Sequence, residues 1–138
     1  MTKRPVIRNI HVTQIIKYRL PPAGIVSIMH RASGLLMFVL LPFVIWLFDK
    51  SVTSQASFDG FARAFDVGIG LVPAVLFKLV ALALIWAYLH HLIAGLRHLW
   101  MDMSHAAVSK EFGHMSAVVT LAVSIVLTLA LGAKLFFF

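Results

Sequence analysis

Three long apolar runs constrain this chain more than any other feature. A helix rises 1.5 Å per residue and needs roughly 20 apolar residues to cross a hydrocarbon layer about 30 Å thick. Runs of that length cover about residues 25–48, 71–98 and 115–138, and Leu35 to Phe48 contains no polar side chain. Lys78 and Lys134 each fall where a long amine can snorkel to an interface. Only 12% of the 138 residues are charged and 61% are hydrophobic; soluble domains carry roughly 25% charged residues. That excludes a soluble globular fold and also disorder, which needs the opposite balance. With no cysteine there is no disulfide framework, no thiolate-held zinc or iron–sulfur cluster, and no cysteine nucleophile. The net charge of +7 belongs against a membrane surface rather than nucleic acid, because no soluble basic face is available to present it.

The sequence therefore predicts an all-α membrane protein: one domain over residues 1–138, three transmembrane helices at about 25–48, 71–98 and 115–138, and a short interfacial helix in the first loop. Pro42 predicts a kink in the first span, and Pro73 fits a helix start. Between residues 51 and 67 the chain is polar, yet Phe58, Phe61 and Phe65 recur at helical spacing, as an interfacial helix requires. Residues 1–24 read as an N-terminal arm carrying Lys3, Arg4, Arg8, Lys17 and Arg19 without an acid, and lack the order of a signal peptide. The first loop carries Lys50 and Arg63 against Asp49, Asp59 and Asp66. Positive residues stay inside, so the N-terminus is expected to be cytoplasmic and the C-terminus on the periplasmic side of a bacterial inner membrane. The second loop, read as 97–114, adds little to that vote.

Ionisable groups are costly in a membrane and usually face a cofactor, a pore or a partner. Two clusters stand out. Ser27, His30, Arg31 and Gly34 share one face at the start of the first span. They offer a hydroxyl, an imidazole and a forked cation suited to an anionic group or a polarised carbonyl; snorkelling to headgroups explains the Arg and His as readily. His91, Gly95, His98 and Asp102 form a second stripe at the end of the second span. A neutral imidazole is a good axial ligand for haem iron, and Gly95 would let a flat ring approach the backbone; an interhelical hydrogen bond is the plainer role for an intramembrane histidine. His90 competes with His91 on spacing alone. Asp102 pairs most simply with Arg97 or His98, or ends the helix in water, while Tyr88 and Trp100 suit an interface belt. His11, His105 and His114 lie in polar segments. Thr120, Ser124 and Thr128 form a small polar stripe suited to close helix packing. Because the first two spans run antiparallel, the two clusters meet at one end of the bundle.

The two motifs together, Ser27-Ile-Met-His30-Arg31-Ala-Ser-Gly34 and His91-x3-Gly95-x-Arg97-His98-x3-Asp102, resemble the cytochrome b membrane-anchor subunits of succinate dehydrogenase. The resemblance extends over the whole chain, beginning at Arg4-Pro5; it departs at Val6 to His11, where such anchors often continue Ser-Pro-His. It implies that His91 is the axial haem b ligand, with a second axial histidine from another anchor subunit. It implies that His30, Arg31 and His98 surround the haem, and that Ser27 and Arg31 contact ubiquinone, the substrate. FAD and iron–sulfur clusters would belong to a flavoprotein and an iron–sulfur subunit. The implied function is transfer of electrons from succinate oxidation to quinone in the tricarboxylic acid cycle and respiratory chain. A fumarate reductase anchor would run the same chemistry backward. A cofactor-free scaffold would use the same residues only to pair helices, and a proton-relay transporter would expect acids deeper in the spans than any here.

Overall fold

The computed structural model describes residues 11, 13–14 and 18–137. The arm's Lys3, Arg4, Arg8 and Lys17 lie outside the described residues. Helix α1 runs Pro22–Val39 and α2 Leu41–Val52. Helix α3 runs Gln55–Asp66, followed by a two-stranded antiparallel ribbon of β1, Gly68–Ile69, and β2, Val72–Pro73. Helix α4 spans Ala74–Met103, a short 3₁₀ turn follows at His105–Val108, and α5 spans Lys110–Phe137. Helices α1, α4 and α5 are each long and apolar enough to cross a membrane, where a backbone without water must satisfy its hydrogen bonds internally. The chain is a multi-pass membrane protein.

The expected kink is present. The first span breaks at Leu40, whose φ of −87° and ψ of 3° leave the helical region. Pro42 supplies no N–H for the Phe38 carbonyl, and its ring crowds that carbonyl. The ladder resumes with Val44 N–H donating to Leu40 O at 3.1 Å. Helix α1 packs along α4 and α5, whereas α2 leans onto α3. Between α2 and α4 lies an apolar groove of about 510 Å³, lined by Met37, Leu41, Val44, Leu84, Tyr88 and Leu131 among others.

The interfacial helix is α3. Ser54 caps its start by accepting from Ser57 N–H at 3.2 Å, a cap worth about 1 kcal/mol. Phe58, Phe61 and Phe65 meet in sequence along one face in tilted and edge-on contacts, and Phe65 continues onto Phe77 of α4 at 6.0 Å. Gly68 then turns the chain at a φ of +100°, where an added Cβ would meet the Val72 carbonyl oxygen. Lys78 sits one turn into α4 with its amine 5.9 Å from the Phe136 ring centroid.

One expectation is corrected. The second loop does not run from 97 to 114: α4 continues to Met103 and α5 begins at Lys110. Arg97, His98 and Asp102 are therefore helical, and so is His114, though its side chain is exposed as expected. Helix-compatible residues continue past the apolar run here, so hydropathy marks where the lipid ends and not where the helix does. Pro73 stands at the start of α4, as expected, in the capping position before Ala74. The stripe of Thr120, Ser124 and Thr128 is buried, together with Ala117 and Gly132, along the face that α5 turns inward. Thr120 and Thr128 return their hydroxyls to carbonyls one turn back, at 2.9 and 2.6 Å.

Candidate functional site

Helix periodicity carries His30 and Gly34 to the face of α1 that meets α4. His30 lies about 12 Å into α1 and His91 about 18 Å before the end of α4, counted at 1.5 Å per residue. The antiparallel helices thus bring the two histidines level. Their rings stack with centroids 4.1 Å apart and planes 21° from parallel. His98, two turns along α4, tilts against the other side of His30 at 5.2 Å. Only the His30–His91 pair is stacked face to face, and no group of three metal-ligating side chains converges among the described residues.

The hydrogen bonds fix which nitrogen of His91 is free. Nδ1 lies 3.0 Å from the His30 carbonyl oxygen. A carbonyl can only accept, so Nδ1 carries the proton and Nε2 keeps its lone pair. Ser33, fully buried, donates its hydroxyl to that same carbonyl at 2.7 Å and places its oxygen 3.2 Å from His91 Nδ1. An imidazole held this way, with its outer N–H tied to a backbone carbonyl, has the usual arrangement of a metal-ligating histidine. Gly34 leaves room for it: a Cβ there would lie 3.0 Å from His91 Cε1 and 3.3 Å from Nδ1. The close approach expected of Gly95 is looser, since a Cβ there would stand 3.6 Å from His30 Nε2, an ordinary contact.

His90 points elsewhere. It is fully buried, stacked on Trp86 with centroids 5.6 Å apart, and within 3.2 Å of Ser124 Oγ through Nδ1. Ser124 donates its own proton to Leu121 O, so His90 donates and Ser124 accepts. Its Nε2 is buried with no hydrogen-bond partner.

Ser27 is half-buried, and Arg31 is exposed with its Nε donating to the Ser27 carbonyl at 3.3 Å. Arg31 makes no hydrogen bond to His30, His91 or His98 among the described residues; its Nε is held by its own helix. Arg97 departs from expectation. It is buried, donating from Nε to Ser116 Oγ at 2.9 Å and from Nη2 to Gly113 O at 3.0 Å. Asp102 is exposed and makes no ion pair among the described residues.

Two contributors escaped the sequence reading. Ser33 sits within the first motif, three residues past His30, but nothing in its own helix signals a partner on α4. Gly34 was counted as part of a stripe, and only the neighbouring ring shows why no side chain stands there.

The sequence model that describes succinate dehydrogenase/fumarate reductase transmembrane subunits matches residues 4–131. The chain belongs to this family. Among curated relatives of this anchor family, the succinate dehydrogenase cytochrome b556 subunit of Coxiella burnetii is 33% identical over 130 residues, covering 94% of both chains. The cytochrome b556 subunit of Paracoccus denitrificans is 34% identical over 110 residues, covering 80% of this chain and 78% of that one.

Proposed function

We propose that this anchor holds haem b through His91 and forms part of a ubiquinone site through Ser27 and Arg31, in a complex that passes electrons from succinate to quinone. The observation that carries the reading is the His91 ring: Nδ1–H is bound to the His30 carbonyl, which leaves the Nε2 lone pair available, and Tyr88, one turn before His91 on the same helix, lines an apolar groove. Those residues fit a haem: one oriented imidazole, a backbone that Gly34 leaves open to the ring, and apolar walls. His30, Arg31 and His98 would form the haem surround. No three metal-ligating side chains converge among the described residues, and a second axial histidine would come from another anchor subunit. The names of the relatives, both cytochrome b556 subunits, support the same cofactor.

When bound, haem b would supply one-electron transfer. The chain's own residues do the rest. Ser33 and the His30 carbonyl hold the His91 ring at one angle and keep its Nε2 unprotonated. The remaining N–H groups of the exposed Arg31 would stabilise charge developing on a quinone oxygen during reduction. The Ser27 hydroxyl, one turn away, would donate to a quinone carbonyl. With no cysteine in the chain, FAD and iron–sulfur clusters reside in flavoprotein and iron–sulfur subunits on the cytoplasmic face of a bacterial inner membrane. The basic N-terminal arm lies on that face, and the C-terminus is periplasmic.

The assembled complex tests this. Purified complex should show reduced b-type absorption bands. Arg31→Leu should lower succinate-dependent quinone reduction at least tenfold more than succinate oxidation by a soluble dye; tenfold corresponds to about 1.4 kcal/mol. A complex without b-type bands, or equal loss in both assays, would contradict the reading.

A further inference from the structure

The Arg97 guanidinium is a permanent cation that is only 8% exposed. Its two hydrogen-bond acceptors, Ser116 Oγ and Gly113 O, are both neutral. No carboxylate lies within 4.0 Å of it among the described residues; the acids of this end, Asp102 and Glu111, are exposed. A buried charge without a counter-charge is costly, so the site is incomplete as the chain presents it. Arg97 lines a groove of about 370 Å³ between α4 and α5, with Ile93, Trp100, Phe112, Met115 and Val119 as its apolar walls. Trp100 and Met115, at 61% and 65% exposed, form an open rim toward lipid. At about 100° per residue, Ile93, Arg97 and Trp100 lie roughly 180–240° around α4 from His91. The groove thus faces away from the histidine cluster, and nothing in the proposed haem or quinone role uses it.

We propose that this groove binds one anionic phospholipid from the leaflet at the His91 end. The remaining N–H groups of Arg97 take the phosphate, and an acyl chain lies along Ile93, Met115 and Val119. A planar fork matches two phosphate oxygens. The depth also fits: Arg97 is six residues before the end of α4, about 9 Å below it, within reach of the headgroup layer. Charge complementarity selects the occupant, because a net-negative lipid neutralises the guanidinium whereas a zwitterionic one returns a cation to the same place.

The test uses the whole purified complex, washed of lipid in detergent. Phosphatidylglycerol or phosphatidylcholine of matched chains is then added, and bound lipid is counted by native mass spectrometry. Wild type should retain one phosphatidylglycerol about tenfold in preference to phosphatidylcholine, the scale of one charge-assisted hydrogen bond. Arg97→Gln should reduce that preference to near parity. Met115→Trp, which fills the groove without touching the Arg97 hydrogen bonds, should do the same. If Arg97→Gln fails to assemble, Met115→Trp decides, with an unchanged haem spectrum showing that the complex is intact. Equal retention of both lipids by wild type would overturn the proposal, and so would a preference that survives Met115→Trp. Displacement by millimolar inorganic phosphate would also overturn it, because free anion and not lipid would then be the ligand.

Discussion

Replacing Gly34 by alanine sets two effects of opposite sign against each other. Alanine in a helix interior is favoured over glycine by roughly 1 kcal/mol. At Gly60 in α3, where an added Cβ meets nothing within 4 Å, that gain should appear undiminished. At Gly34 the same Cβ lies 3.0 Å from His91 Cε1 and 3.3 Å from Nδ1. The ring must yield by a few tenths of an ångström, and overpacking of this kind costs about 1–3 kcal/mol. The His91 Nδ1–His30 O bond is 3.0 Å long, and hydrogen bonds of this type weaken beyond about 3.2 Å, so the displaced ring also loses its anchor. Gly34→Ala should therefore lower or cancel the helix gain and disturb the His91 ring, whereas Gly60→Ala should raise the thermal midpoint and leave His91 alone. The assay is the haem-to-protein ratio, the reduced-minus-oxidised spectrum and the thermal midpoint of purified complexes carrying each change. Gly34→Ala should show lower haem occupancy or a shifted band, with Gly60→Ala matching wild type. Identical spectra and occupancy in all three, with both variants equally stabilised, would refute the packing argument.

Two further substitutions follow from single contacts. Ser33→Ala removes the hydroxyl that shares the His30 carbonyl with His91; it should shift the haem midpoint potential by on the order of tens of millivolts without preventing insertion, and Ser33→Thr should restore it, as redox titration will show. Gly68→Ala places a Cβ against the Val72 carbonyl at a φ of +100°, so it should cost about 1–3 kcal/mol and shorten the complex's half-life at elevated temperature while leaving the haem spectrum unchanged.

Much of the fold was legible because a membrane imposes simple rules. Length and hydropathy marked the spans, Pro42 marked the break at Leu40, and the spacing of Phe58, Phe61 and Phe65 marked α3. The stripes containing His30 and His91 also followed from helical period, and antiparallel spans brought them to one end. What periodicity does not carry is the identity of a partner on another helix. It gave Arg97 a neighbour in its own helix, Asp102, whereas the side chain crosses to Ser116 and Gly113 on α5. It valued Gly95 beside the histidine, whereas the ring of His91 presses on Gly34. It left His90 and His91 equivalent, and only the packing of α5 separates them: Ser124 and Trp86 enclose one, while the other turns to α1.

The central claim is that His91, with its free Nε2, is this chain's haem ligand. It is tested most directly by the dithionite-reduced minus oxidised spectrum of the purified complex carrying His91→Leu, beside the same spectrum for His90→Leu. The account predicts that His91→Leu loses or strongly alters the b-type bands while the chain still inserts, and that His90→Leu keeps them. Bands that survive His91→Leu, or that vanish with His90→Leu instead, would contradict it.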